Sequence, residues 1–162
     1  MSNPNETIRG DRNLVERIVQ LVPGFRGYYD RENRREADQL IRKFGVSKLD
    51  QLIAELHELT KNAPLREKDD YQECVNQAEK LRNALQYADR GYSGFFSEVK
   101  WDRPERLAAL YERDEQIVAL ISTLAESLVE GGIPLPDLRA ELILLQRTVE
   151  ERRDVILNLG SA

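Results

Sequence analysis

Apolar residues fall three and four apart along most of this chain, and no segment shows the alternation a half-buried strand requires. Leu14, Val15, Ile18, Val19 and Val22 form the first such set, so residues 13–22 are predicted as a short amphipathic helix ended by Pro23-Gly24. Residues 1–12 are polar and read as a flexible tail, with a single helical domain over 13–162. Asp30 can cap a second helix running to about Phe44, with Ala37, Leu40, Ile41 and Phe44 inward. Gly45 interrupts that pattern. Ser47 opens a new run, with Asp50 three residues on as a variant capping box and Leu49, Leu52, Ile53, Leu56 and Leu59 as its stripe. The chain either kinks at Gly45 and continues or reverses there; the two-residue gap between segments favours the kink.

Pro64 opens the next helix, 65–90, whose seam Tyr71, Cys74, Ala78, Leu81, Leu85 and Ala88 keeps an unbroken heptad spacing. Asp102 and Pro104 mark the start of another, 103–130. Gly131-Gly132-Ile133-Pro134 is a tight reversal, and a last helix covers 137–159. The expected fold is therefore all-α: an antiparallel up-down four-helix bundle with an additional short N-terminal helix.

Two charges break the apolar seams. The 103–130 helix presents Leu107, Leu110, Asp114, Ile117, Ile121, Leu124 and Leu128; the last helix presents Leu138, Leu142, Leu145, Val149, Arg152, Ile156 and Leu159. Asp114 lies nineteen residues before Ile133, the centre of the reversal, and Arg152 nineteen after it. Equal distances meet at one level in an antiparallel hairpin, so Asp114 and Arg152 are predicted to form a core ion pair that fixes register.

The aromatic residues are placed unusually. Phe25, Tyr28, Tyr29, Tyr92, Phe95, Phe96 and Trp101 lie in two glycine-containing connections rather than on helices. If the chain runs straight through Gly45, both connections lie at one end; if it reverses there, they lie at opposite ends. They either fold inward as a plug or remain exposed as a contact surface. The arginines beside the first loop (Arg26, Arg31, Arg34 and Arg35) suit stacking and anion contact, and they are interleaved with Asp30, Glu32, Glu36 and Asp38, which can bridge to them. The candidate binding surface is Phe25, Arg26, Tyr28, Tyr29, Arg31, Arg35, Tyr92, Phe95, Phe96 and Trp101.

Composition removes most catalytic classes. The net charge is −5, and although residues 1–44 carry nine Lys/Arg against seven Asp/Glu, the remainder carries fifteen against twenty-two. Nucleic acid is therefore a poor partner. His57 is the single histidine and Cys74 the single cysteine, so a zinc site, a di-iron Glu-x-x-His pair and an intramolecular disulfide are all out of reach. His57 sits beside its apolar stripe, Cys74 on a seam as a packing thiol. No phosphate loop, dinucleotide fingerprint or calcium loop occurs, and no cofactor or metal is called for. The N-terminus lacks an apolar signal core, and no run approaches the ~20 apolar residues of a spanning helix; a cytoplasmic location follows as the expectation.

The segments Leu21-Val-Pro-Gly-Phe-Arg-Gly-Tyr28 with Arg34-Arg-Glu-Ala-Asp38, and Gly91-Tyr-Ser-Gly-Phe-Phe96 with Leu110-Tyr-Glu-Arg-Asp114, resemble a family of uncharacterised bacterial helical-bundle proteins carrying the same two loop motifs. The resemblance covers most of residues 14–125 and implies no assigned activity. The expectation is a non-enzymatic helical-bundle interaction or scaffold protein that meets a protein partner through the aromatic-loop end; the long apolar seams also fit a homodimer. Two alternatives stand beside it: a peripheral membrane-associated protein using the same aromatics, and an enzyme with a carboxylate or arginine site.

Overall fold

The computed structural model describes residues 4–28, 33–88, 92, 95 and 104–159, the side chains of 4–9, 11 and 104–106 excepted. Among these residues the chain is all-helical: α1 (Pro4–Leu21), α2 (Arg34–Asn62), α3 (Leu65–Gln86), α4 (Pro104–Glu130) and α5 (Leu135–Leu159). Helix α1 begins well before residue 13, so the expected tail of residues 1–12 is helical from Pro4 onward. Proline suits the first helical position, because its φ is already helical and its missing N–H would have had no partner there. The hydrophobic pattern registered only the later part of α1, where Leu14, Val15, Ile18 and Val22 pack inward.

Helix α2 passes through Gly45 without interruption, so the chain does not reverse there. The glycine answers a packing need. A Cβ at position 45 would lie 2.7 Å from Leu85 Cδ1 on α3 and 3.7 Å from Ile121 Cδ1 on α4. The distance to Ile121 is ordinary contact, so the constraint comes from Leu85: glycine lets α2 approach α3 here without displacing that side chain. Ser47 consequently lies inside the helix and caps nothing. The start of α2 also differs from the expected Asp30 cap. Asn33 is the N-cap, accepting the Ala37 N–H on its carbonyl at 2.8 Å, and its side chain makes no capping hydrogen bond. Helix α3 stops at Gln86 rather than near residue 90, where the Tyr87 N–H closes the last turn on Asn83 O at 3.1 Å.

The helices contact one another in the pairs α2·α3, α4·α5, α2·α4, α3·α5 and α1·α4. Buried apolar side chains gather in two clusters. One holds Leu49, Leu52 and Leu56 of α2, Cys74, Val75 and Leu81 of α3, and Ile117, Leu124, Leu138, Leu142 and Leu145 of α4 and α5. The other holds Ile18 of α1, Phe25 and Tyr28 of the first loop, Ile41, Leu110, Tyr111 and Ile156, together with Tyr92 and Phe95. Phe25 and Tyr28 of the first aromatic connection therefore meet Tyr92 and Phe95 of the second at one end of the helices.

Candidate functional site

The first aromatic connection turns inward on two glycines. Gly24 and Gly27 hold φ at 91° and 92°, a backbone region where a side chain is strained. This geometry drives Phe25 and Tyr28 beneath the helix ends, where both are buried. Tyr28 packs edge-on to Phe25 at 5.5 Å and to Phe95 at 5.6 Å, and Tyr92 meets Phe95 at 6.3 Å. These spacings are those of favourable aromatic pairs. Phe25, Tyr28, Tyr92 and Phe95 are thus buried as a plug, where the sequence-based binding set had them on an outer surface. Of that set, Arg26 and Arg35 are exposed, while Tyr29, Arg31, Phe96 and Trp101 lie outside the described residues. Arg34 is buried, and its Nε donates to the Tyr28 carbonyl at 3.3 Å.

Beneath the plug lies a polar network buried where the two apolar clusters meet. Arg152 Nε donates to Asp114 Oδ1 at 2.6 Å, so the equal spacing of these residues from the helix reversal does bring them to one level. The pair is part of a larger set. Arg152 Nη2 donates to Asp38 Oδ1 at 2.7 Å and to the Tyr28 hydroxyl at 3.4 Å. The Tyr28 hydroxyl in turn donates to Asp114 Oδ2 in a short hydrogen bond. Arg42 Nε meets Asp38 Oδ2 at 2.8 Å, and its Nη1 donates to the carbonyls of Leu85 and Gln86 at 3.1 and 3.2 Å. The Tyr28 backbone N–H donates to the Tyr111 hydroxyl at 2.7 Å. One network therefore ties the first loop to α2, to the C-terminal end of α3, to α4 and to α5.

Two arginines face two aspartates, so the network is neutral while Tyr28 keeps its proton. Burial, followed by the Asp114 carboxylate, holds the Tyr28 hydroxyl well above the ordinary tyrosine range. It therefore acts as a donor throughout the physiological range. Burial also raises the Asp114 carboxyl, against the pull of Arg152 and the Tyr28 hydrogen bond. For Arg152 burial opposes the charge, but Asp114 and Asp38 outweigh it and hold the guanidinium above its ordinary value. Asp38 and Asp114 are fully buried and Arg152 is 1% exposed. Both carboxylates are shut off from solvent by the side chains around them.

The remaining candidates are quiet. Cys74 is buried, and burial raises its thiol above the ordinary range, so the reactive thiolate is disfavoured. His57 is exposed on α2. No group of three or more His, Cys, Asp or Glu is placed to hold a metal ion among the described residues. No helix described is long and apolar enough to cross a membrane.

An open groove of about 790 Å³ runs between α4 and α5 on the outer face. Leu120, Leu124, Ile133 and Leu144 form its apolar part, with Arg113, Arg147 and Glu141 among the polar residues at its sides. Leu144 remains 46% exposed there. Arg113 is committed to Glu151 at 2.8 Å, which ties the two helices together across one end.

Comparison with protein-family models, curated proteins and solved structures returns no match. The family resemblance stated above accordingly rests on the two loop motifs alone.

The sequence pattern missed Asp38, Arg42 and the part played by Tyr28. A signal for the first was present. Carried back through Gly45, the seam Leu56, Leu52, Leu49 continues to Gly45, Ile41, Asp38 and Arg34 at helical spacings of three and four. The rule that picked out Asp114 picks out Asp38 as soon as α2 is treated as one helix.

Proposed function

We propose that this protein is a non-enzymatic interaction module, an antiparallel up-down four-helix bundle of α2–α5 with α1 laid against α4, and that it receives an amphipathic helix of a partner protein along the α4/α5 groove. The observation that carries this reading is a contrast in access. Asp38, Asp114 and Arg152 are held in a buried network, whereas the groove between α4 and α5 is open and apolar at its base. The groove spans residues 113–127 of α4, about 21 Å at 1.5 Å per residue. That length suits a helix of about four turns, whose apolar stripe would cover Leu144 while its polar edges meet Arg147 and Glu141. The pairwise contacts of the helices support the bundle, and the loop motifs support kinship with the bacterial helical family. The single buried cysteine supports a reducing, cytoplasmic setting.

The contact surface in this reading is a helix face, and the aromatic end serves as a plug. Among the described residues no exposed aromatic cluster favours the membrane alternative. Site-specific photo-crosslinking tests the proposal. A photoreactive residue at Leu144 should capture one partner, a control at exposed Glu79 should not, and Leu120→Glu should abolish the capture. Equal capture at both positions, or capture unaffected by Leu120→Glu, would overturn it. Capture of a second copy would make the partner helix one of this chain's own.

A further inference from the structure

A second cavity, of about 370 Å³, opens between the C-terminal half of α3 and α5 and reaches the buried network from outside. Its wall includes Arg152, Arg153, Asn83, Tyr92 and Val149. Arg152 is 1% exposed, and its Nε and Nη2 are both committed to Asp114, Asp38 and Tyr28. Those two nitrogens share one edge of the planar guanidinium. Nη1 lies on the other edge and has no hydrogen-bond partner among the described residues, and Arg152 is part of the cavity wall.

We propose that this cavity binds a small organic monocarboxylate. Its oxygens would accept from Arg152 Nη1, with Arg153 and the Asn83 amide beside them, and its apolar body would lie on Val149 and the ring of Tyr92. The cavity is at the small end of the ~300–1,000 Å³ usual for such ligands. A single negative charge fits better than a double one. The two aspartates already balance Arg152 and Arg42, which leaves Arg153 as the one added cation in the wall. Glu150, the acidic residue of the same wall, accepts a hydrogen bond from Gln146 along α5 at 3.3 Å, which turns one of its oxygens along the helix. The inference is independent of the helix-docking groove, which lies between α4 and α5.

Benzoate is a suitable probe, titrated into the ¹⁵N-labelled full chain at constant ionic strength. Saturable shifts should gather at the amides of Asn83, Tyr92 and Val149 and at the Arg152 side chain. Ala84 is exposed and lines the same cavity. Ala84→Trp, which fills it, should weaken binding at least tenfold with the helical circular dichroism unchanged. Arg153→Glu, on an exposed residue, should weaken it at least fivefold without a loss of thermal stability. Shifts that do not saturate, that spread over the exposed arginines, or that survive Ala84→Trp would overturn the site. Inorganic phosphate producing the same shifts at equal or lower concentration would overturn the assignment to a monocarboxylate.

Discussion

Removing one charge from the buried network should damage the protein more than removing two. In Asp114→Ala, Arg152 keeps Asp38 at 2.7 Å, but Asp38 must then serve both Arg152 and Arg42, which it already meets at 2.8 Å. Two buried guanidiniums share one carboxylate, and the Tyr28 hydroxyl loses its acceptor. Breaking a buried pair in this way costs about 3–5 kcal/mol, a large part of the ~5–15 kcal/mol that holds a domain together. Arg152→Leu should cost about as much, because Asp114 and Asp38 are then left with Arg42 alone. The double variant Asp114→Ala/Arg152→Leu restores neutrality, with Asp38 on Arg42 intact. Its residual cost is the unmatched Tyr28 hydroxyl, about 1–3 kcal/mol. Urea unfolding followed by circular dichroism at 222 nm gives all four stabilities, and the cycle should yield a coupling of about 3 kcal/mol or more. A double variant as unstable as the sum of the singles would refute the argument from charge balance. So would an Asp114→Ala protein within about 1 kcal/mol of the parent.

Three further outcomes are expected. Gly45→Ala gains about 1 kcal/mol of helix propensity but forces a methyl to within 2.7 Å of Leu85 Cδ1, and overpacking of about 1–3 kcal/mol should win, lowering the melting temperature; a higher melting temperature would mean that Leu85 swings aside freely. Because Tyr28 ionises far less readily folded than unfolded, its contribution is complete below about pH 10, the unfolded tyrosine value, and is lost as pH rises beyond it. Stability measured from pH 9 to 11 should therefore fall less steeply in Tyr28→Phe, by up to about 1.4 kcal/mol per pH unit, with Tyr92 supplying part of the remaining slope. The Cys74 thiol should resist a thiol-specific disulfide reagent in native buffer and react fully in urea; rapid native labelling would contradict its burial.

Helix spacing and turn residues made most of the elements legible, because an amphipathic helix must repeat its apolar face. The Gly131-Gly132 reversal and the Pro104 start were read from local chemistry, and the Asp114–Arg152 level from counting residues along two seams. What escaped depended on contacts distant in sequence. Gly45 carries the same letter whether it ends a helix or lets Leu85 come close, and Leu85 is forty residues away. The break assumed at Gly45 hid Asp38, which the run Arg34-Arg35-Glu36-Ala37-Asp38 made look like one more solvated charge. Tyr28 was legible as an aromatic in a glycine loop. Its inward orientation was not, because it depends on an acceptor that α4 supplies 86 residues later.

The order in which the network's members leave the ribosome has its own consequence. Asp38 and Arg42 emerge early, Asp114 much later, and Arg152 last of the four. Until α5 has emerged, closing α2 onto α4 would bury two carboxylates with one guanidinium between them, a penalty that opposes premature association. Helices α2 and α3 can pair at once, since Arg42 already finds Asp38 and the carbonyls of Leu85 and Gln86. During synthesis the nascent chain should therefore wait as an α2–α3 hairpin, and arrival of the last arginine licenses the final closure. A prematurely terminated chain that lacks α5 would stay open and be recognisable to quality-control proteases.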